Sequence, residues 1–233
     1  MEPLWRSFGR AFQLIVSLDP ELYGIIALSL EVSGLALALA SLLGVPVGVL
    51  VGLRRFPGRE AVISVLNSLM GLPPVVVGLG VYLLFSRSGP LGFFGLLFTP
   101  WAMVVAQTIL AFPIVAALSH AAVMGVDPLV KDTIRSLGAT PRQSIRWILA
   151  EARYGLMAAV IAALGRVLAE VGAVLMVGGN IAGYTRVMTT AIALETSKGD
   201  FELALALGVV LLLLALGINL GLRQIQKRGA WAS

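Results

Sequence analysis

Long apolar runs alternate with short polar stretches along this chain. A helix rises 1.5 Å per residue and the hydrocarbon core of a bilayer is roughly 30 Å thick, so about 20 mostly apolar residues are enough to cross it. Five segments meet that condition, at 22–53, 61–85, 100–124, 154–177 and 203–222. The pattern therefore predicts an all-α membrane protein with about five transmembrane helices. A further apolar stretch at 91–98 is too short to span, and is expected to dip into the interface or cover a helix end.

Proline and glycine modify this picture. The second segment contains "GLPPVVVGLG", where Pro73 and Pro74 remove two backbone donors in succession. The helix should break there, and broken membrane helices are tolerated where protein buries them or where they line a cavity. The third segment carries Gln107 and Pro113. Gly44, Gly48 and Gly52 form a stripe at four-residue spacing on the first span, and Gly217 and Gly221 form another on the fifth. Such stripes let helices approach closely, so both are expected to pack within the bundle.

An odd number of spans puts the termini on opposite sides. With five spans, one side collects eleven lysines and arginines: Arg54, Arg55 and Arg59, then Lys131, Arg135, Arg142, Arg146 and Arg153, then Arg223, Lys227 and Arg228. The other side holds five: Arg6, Arg10, Arg87, Arg186 and Lys198. The positive-inside rule then places the N-terminus outside and the C-terminus inside. Residues 1–21 read as an interfacial segment with Trp5, Phe8 and Phe12 as anchors, not as a signal peptide, because the apolar run 14–18 is short and no cleavage site follows. Residues 22–222 form a single transmembrane domain and 223–233 a short cytoplasmic tail.

Composition narrows the function. The chain is 58% hydrophobic and 12% charged with mean hydropathy +0.96, against about 25% charged in soluble domains. Its net charge of +5 is mostly the topology signal, and no basic and aromatic stripe suits nucleic acid. There is no cysteine, and His120 is the single histidine, so no metal cluster is expected; His120 reads as a packed or pore-lining residue. No G-x-x-x-x-G-K-[ST], H-E-x-x-H or G-x-S-x-G occurs. With no catalytic site and no cofactor of its own, the chain is left with transport or a scaffold role.

Four places carry unusual polar residues. The loop 127–153, "VDPLVKDTIRSLGATPRQSIRWILAEARYG" and its surroundings, has two helix-start signals, Asp127-Pro128 and Thr140-Pro141, with Gly138 as a stop between them. It predicts two short cytoplasmic helices whose apolar residues (Leu129, Ile134, Leu137, Ile145, Trp147, Ile148) either lie on the bilayer or form a docking surface. Inside the fourth span, "GRVLAEVGAVLMVGGN" places Arg166 and Glu170 four residues apart, on one helix face. A lone charge at mid-bilayer costs at least about 2.5–3.5 kcal/mol, so the two either neutralise each other or face a seam and change partner during a cycle. Glu31 is a second intramembrane acid, without a partner that can be named. At the outer end of that span, "GGNIAGYTR" offers Gly178, Gly179, Asn180, Thr185 and Arg186, with Thr189 and Thr190 beyond; backbone N–H groups and these side chains would suit the outer mouth of an anion pathway, or simply close a loop. Pro73 and Pro74 are candidates for the same pathway.

The loop sequence "DTIRSLGATPRQSIRWILAEA" resembles the cytoplasmic signature of ABC-transporter permeases, an E-A-A with glycine after three further residues and then I-x-L-P. Asp132 stands at the acidic position, Gly138 at the glycine and Ile148 at the isoleucine; Thr133-Ile134 and Ala150-Glu151 depart from the pattern. "GLPPVVVGLG" and the stretch from Gly165 to Gly208 look like the tungstate branch of the tungstate, molybdate and sulfate permeases. The resemblance implies a homodimeric pathway. It implies a cytosolic ATPase subunit docked on each copy through Asp132, Arg135, Gly138, Ala139, Thr140, Arg142 and Ile148. An extracytoplasmic protein would deliver the oxyanion, and ATP-Mg would be used only by the partner ATPase. The competing expectations are molybdate or sulfate cargo, and an ion-coupled transporter or channel that needs no ATPase.

Overall fold

The computed structural model describes residues 12–230, which are helical apart from short connections. After a helical segment at 12–16 come α1 (Pro20–Leu53), α2 (Arg59–Leu69), α3 (Pro74–Phe85), a 3-10 turn (Gly92–Phe94), α4 (Pro100–Met124), α5 (Pro128–Ser136), α6 (Pro141–Leu168), α7 (Gly172–Gly178), α8 (Met188–Lys198) and α9 (Phe201–Ala230). Of the residues expected to anchor an interfacial segment, Trp5 and Phe8 lie outside the described residues and Phe12 is exposed. Among the described residues four helices are long and apolar enough to cross a bilayer, and a fifth crossing exists if α2 and α3 count as one bent span.

The central helix is α4, 72% buried over its apolar window. Its alanines at 102, 106, 111, 116 and 117 present a nearly flat surface to its neighbours. The glycine stripe of α1 lies against it. An added Cβ at Gly44 would sit 3.0 Å from Val115, and one at Gly48 only 2.2 Å from the Ala116 carbonyl oxygen. Lipid tails are as apolar as leucine, so this association rests on close van der Waals packing. Packing within the bundle is thus the role of the first stripe. The second stripe differs: no heavy atom lies within 4 Å of a Cβ at Gly217 or Gly221, because α9 packs on the rest of the chain through its upper half, at Ala204, Ala206 and Leu207.

Three boundaries differ from the sequence expectation. The fourth span begins at Pro141, not near residue 154, so the second short loop helix is the lower part of α6 and only α5 is a separate short helix. A strong N-terminal cap explains this. Thr140 accepts from Gln143 N (3.4 Å) and Gln143 Oε1 accepts from Thr140 N (2.8 Å), and no breaker follows before Leu168. The same span stops at Leu168 and restarts at Gly172, so it is broken where continuity was expected. The fifth span continues as helix to Ala230, through most of the expected tail.

The break at Pro73-Pro74 is present: α2 and α3 meet at 98°. The two prolines lack donors, and Pro74 opens α3 at a position that needs none. The stretch 91–98 covers helix ends, with Leu91 N donating to Leu84 O (2.9 Å) and Phe98 N to Val177 O (2.9 Å).

Candidate functional site

Two interrupted helices meet inside the bundle. Gly78 of α3 lies so close to α7 that a Cβ there would be 2.8 Å from Ala173 Cα. A Cβ at Gly172 would lie 3.0 Å from Val75 Cγ2, next to Pro74. The proline break and the break between α6 and α7 therefore face each other.

Glu170 sits in the second break and is 3% exposed. Its Oε2 accepts from Arg166 Nη1 at 3.1 Å, so the pair forms although Glu170 has left the helix. Its Oε1 accepts from Ala173 N at 2.9 Å, which caps α7 with a negative charge at its positive end. Its carbonyl accepts from Thr189 Oγ1 of α8 at 2.7 Å. One turn back, Gln107 Nε2 of α4 donates to Val167 O at 3.3 Å. On the facing side Ser29 Oγ of α1 donates to Ile25 O (2.7 Å) and accepts from Met188 N (2.7 Å). A small polar cavity is lined by Ser29, Ser33, Gln107, Glu170 and Thr189. Gln107 Oε1 is buried there without a protein donor. The two charges are unequally placed: Glu170's side chain is 2% exposed and Arg166's 36%.

The residues from Gly178 to Arg186 hold the fold around this locus. Thr185 Oγ1 donates to Gly178 O (2.6 Å) and accepts from Ile181 N (2.9 Å). Gly178 packs on Met103, Gly179 ends α7 at φ +71 against Phe98, and Asn180 (φ +50) donates to Thr190 O at 3.3 Å. Arg186 faces two carboxylates, Glu21 at 3.5 Å and the buried Glu195 at 3.7 Å, and Lys198 also pairs with Glu195 at 2.9 Å. Its charge is balanced within the chain, although its Nε is buried without an acceptor.

At the opposite end, α5 stops as expected. Gly138 has φ +72, and Ala139 N reaches back to Ile134 O at 3.3 Å, the bond of a glycine-terminated helix. Ile148 packs into a cluster with Val49, Val123, Val126 and Ala152. Leu129, Leu137 and Trp147 are 71%, 80% and 63% exposed, with Leu137, Gly138, Ala139, Gln143 and Trp147 lining an open cleft. Asp132, Thr140 and Arg142 are on the exposed face, and the side chain of Arg135 lies outside the described set. From Pro141, α6 runs without interruption for 28 residues, about 42 Å, to the turn that carries Arg166. The exposed loop end and Arg166 thus share one rigid rod, with the buried Glu170 just past its upper end.

The candidate residues fall into three places. Pro73 and Pro74 join Arg166 and Glu170 at the paired breaks; Gly178 to Arg186 shape the loop that follows α7; the loop residues 127–153 occupy the far end of α6. Sequence reasoning missed Ser29, Ser33 and the role of α8, whose first turn contacts Glu170 through Thr189. The four-residue spacing of the serines was the available signal. Glu31 is exposed on α1. Among the described residues no group of His, Asp and Glu could hold a metal.

Residues 44–229 match the family described as binding-protein-dependent transport system inner membrane component. A probable anion ABC transporter permease protein of Haloferax volcanii is 49% identical over 203 residues, covering 85% of this chain and 88% of that one. A tungstate uptake system permease protein of Peptoclostridium acidaminophilum is 41% identical over 227 residues, covering 97% of this chain and all of its own. Among solved structures, the inward-facing MetNI methionine ABC transporter aligns with TM-score 0.75 at 22% identity, over 91% of this chain and 97% of that one, a likeness of fold.

Proposed function

Because the chain belongs to the family of binding-protein-dependent transport inner membrane components, the ABC-transporter permeases, we propose that it is the membrane subunit of an ATP-driven importer of a tetrahedral oxyanion, tungstate first among them. The cargo rests on full-length similarity to a tungstate uptake permease. The mechanism rests on one observation: two broken helices meet at an Arg166–Glu170 pair, its acid buried and its arginine half-buried, that a continuous rod connects to an exposed apolar loop.

In this reading two copies of the chain enclose the pathway, with the N-terminal side outside and loop 127–153 inside. A cytosolic ATPase subunit docks on α5 and the start of α6 of each copy, and an outer binding protein delivers the anion. ATP closure of the ATPases moves α5. Gly138 keeps the α5–α6 corner sharp, so α6 transmits that movement to its upper end. There the interrupted backbone, and not regular helix, can rearrange, with Arg166 and Glu170 shifting relative to α3 and α7. Glu170 repels an anion and Arg166 attracts one, so the pair disfavours tight retention. That suits a path from which cargo must leave.

The test is accumulation of tungsten, molybdenum and sulfur, by elemental mass spectrometry, in cells with and without the gene at nanomolar supply. Loss of tungsten uptake alone supports the proposal. Loss of molybdenum or sulfur with tungsten intact keeps the permease and replaces the cargo.

A further inference from the structure

A cavity of about 560 Å³ opens where α1, α2, α4, α5 and α6 come together at the loop end of the bundle. Four cations line it: Arg54, Arg55, Arg59 and Lys131. Among the described residues no carboxylate lines it. Its remaining surface is largely apolar, with Leu50, Val123, Ile134, Ile145 and Ile148. None of these cations has a part in the mechanism above.

The cations divide into two kinds. Two are used by the fold. Arg59 Nε donates to Val51 O at 2.8 Å, its Nη2 lies 3.3 Å from His120 Nε2, and its Nη1 pairs with the exposed Glu60 at 3.0 Å. Lys131 Nζ donates to Met124 O at 3.4 Å, at the C-terminal end of α4. These two satisfy carbonyls at helix ends, where positive charge is favoured. Arg54 and Arg55 do neither. They follow α1, Arg54 on extended backbone and both exposed, and among the described residues neither makes an ion pair. A general excess of basic residues on the inner side would account for their presence, but not for four cations converging on one concavity over an apolar floor.

We propose that this cavity binds a phosphate-bearing anion, and that its source is the headgroup of an anionic phospholipid in the leaflet at the loop end. Charge sets the headgroup: uncompensated guanidinium groups accept phosphate oxygens through paired N–H donors. The apolar floor sets the source, since a free inorganic anion has no use for isoleucine whereas a lipid carries its acyl carbons with it. Depth agrees, because the cavity lies level with the end of α1, where basic residues meet the anionic surface of the inner leaflet. Identification of that leaflet rests on the orientation in the proposed function; the phosphate chemistry does not. A lipid seated here touches α1, α4, α5 and the lower part of α6, and so would hold the loop against the bundle.

Native mass spectrometry of the permease with its ATPase subunits, in detergent, tests this without reference to transport or sidedness. Phosphatidylglycerol and phosphatidylcholine of matched chains are titrated separately, with and without millimolar inorganic phosphate. The expected result is retention of phosphatidylglycerol over phosphatidylcholine. In Arg54→Gln/Arg55→Gln that retention falls by about 30-fold, the scale of losing two cations at an anionic surface. Arg54→Lys/Arg55→Lys, which keeps the two charges but loses the paired N–H donors, falls between wild type and the Gln/Gln variant, and Arg87→Gln, at the other end, leaves retention unchanged. Equal retention of the two lipids, or a Gln/Gln variant that binds as wild type, overturns the proposal. Inorganic phosphate stripping the lipid completely would overturn the lipid source in favour of a soluble anion.

Discussion

Removing Arg166 should destabilise the protein more than removing Glu170, and removing both should cost less than the sum. The asymmetry follows from exposure. Glu170's side chain is 2% exposed and keeps one other donor, Ala173 N, whereas Arg166's is 36% exposed. Arg166→Met strands a buried carboxylate, a loss of about 3–5 kcal/mol. Glu170→Gln keeps an acceptor for Ala173 N and leaves a guanidinium that can reach water, so about 1–2 kcal/mol is expected, nearer the range of exposed pairs. The double variant should resemble Glu170→Gln, giving a coupling as large as the Arg166→Met loss itself, about 3–5 kcal/mol, because removing the acid removes the reason the arginine is needed. At roughly 2–4 °C per kcal/mol for a chain of this length, the Tm falls are about 6–20 °C for Arg166→Met and 2–8 °C for Glu170→Gln. Thermal unfolding of the detergent-solubilised complex, followed by tryptophan fluorescence, reads them. Glu170→Gln proving worse than Arg166→Met, or effects that simply add, would refute the reasoning, because the carboxylate would then not be the buried dependent partner.

Other positions give sharper contrasts. Gly48→Ala puts a Cβ 2.2 Å from the Ala116 carbonyl and should cost about 1–3 kcal/mol by forcing α1 from α4, whereas Gly34→Ala, with nothing within 4 Å, should be neutral or stabilising; Tm measurements separate them. Gly138→Leu meets no neighbour within 4 Å but holds φ +72, so it should cost about 1–2 kcal/mol, with Gly138→Asn milder, and should reduce stimulation of ATPase activity by loaded binding protein. Leu137→Ala/Trp147→Ala removes two exposed apolar side chains and should weaken ATPase association in pull-down assays with little change in permease Tm.

Much of this architecture was legible because the bilayer makes length and polarity speak directly. The third span matched at both ends, and proline at 73–74 marked a real break because it deletes donors that no side chain restores. The second break was invisible. Nothing in "RVLAEVGAV" forbids helix; it stops because Glu170 turns its carboxylate to Ala173 N and its carbonyl to Thr189, contacts that come from tertiary structure. The lower part of α6 was taken for a separate helix because polar residues suggest a surface loop, while a capped helix can simply project beyond the membrane. At the candidate site the acid and arginine were readable from their cost in lipid. Ser29 and Gln107 were not, since single polar residues in a span pack inward as often as they line a path. Arg186 read as a free donor until Glu21 and Glu195 came beside it.

Tungstate uptake into proteoliposomes tests the account most directly. The permease is reconstituted with its ATPase subunits, the binding protein is supplied on the opposite side, and ATP is enclosed with the ATPases. Uptake that requires ATP, the binding protein and an intact α5 docking face, and that falls in Arg166→Met, is the predicted result. Uptake that continues without ATP or without the ATPase would contradict it and make the chain a channel or ion-coupled transporter.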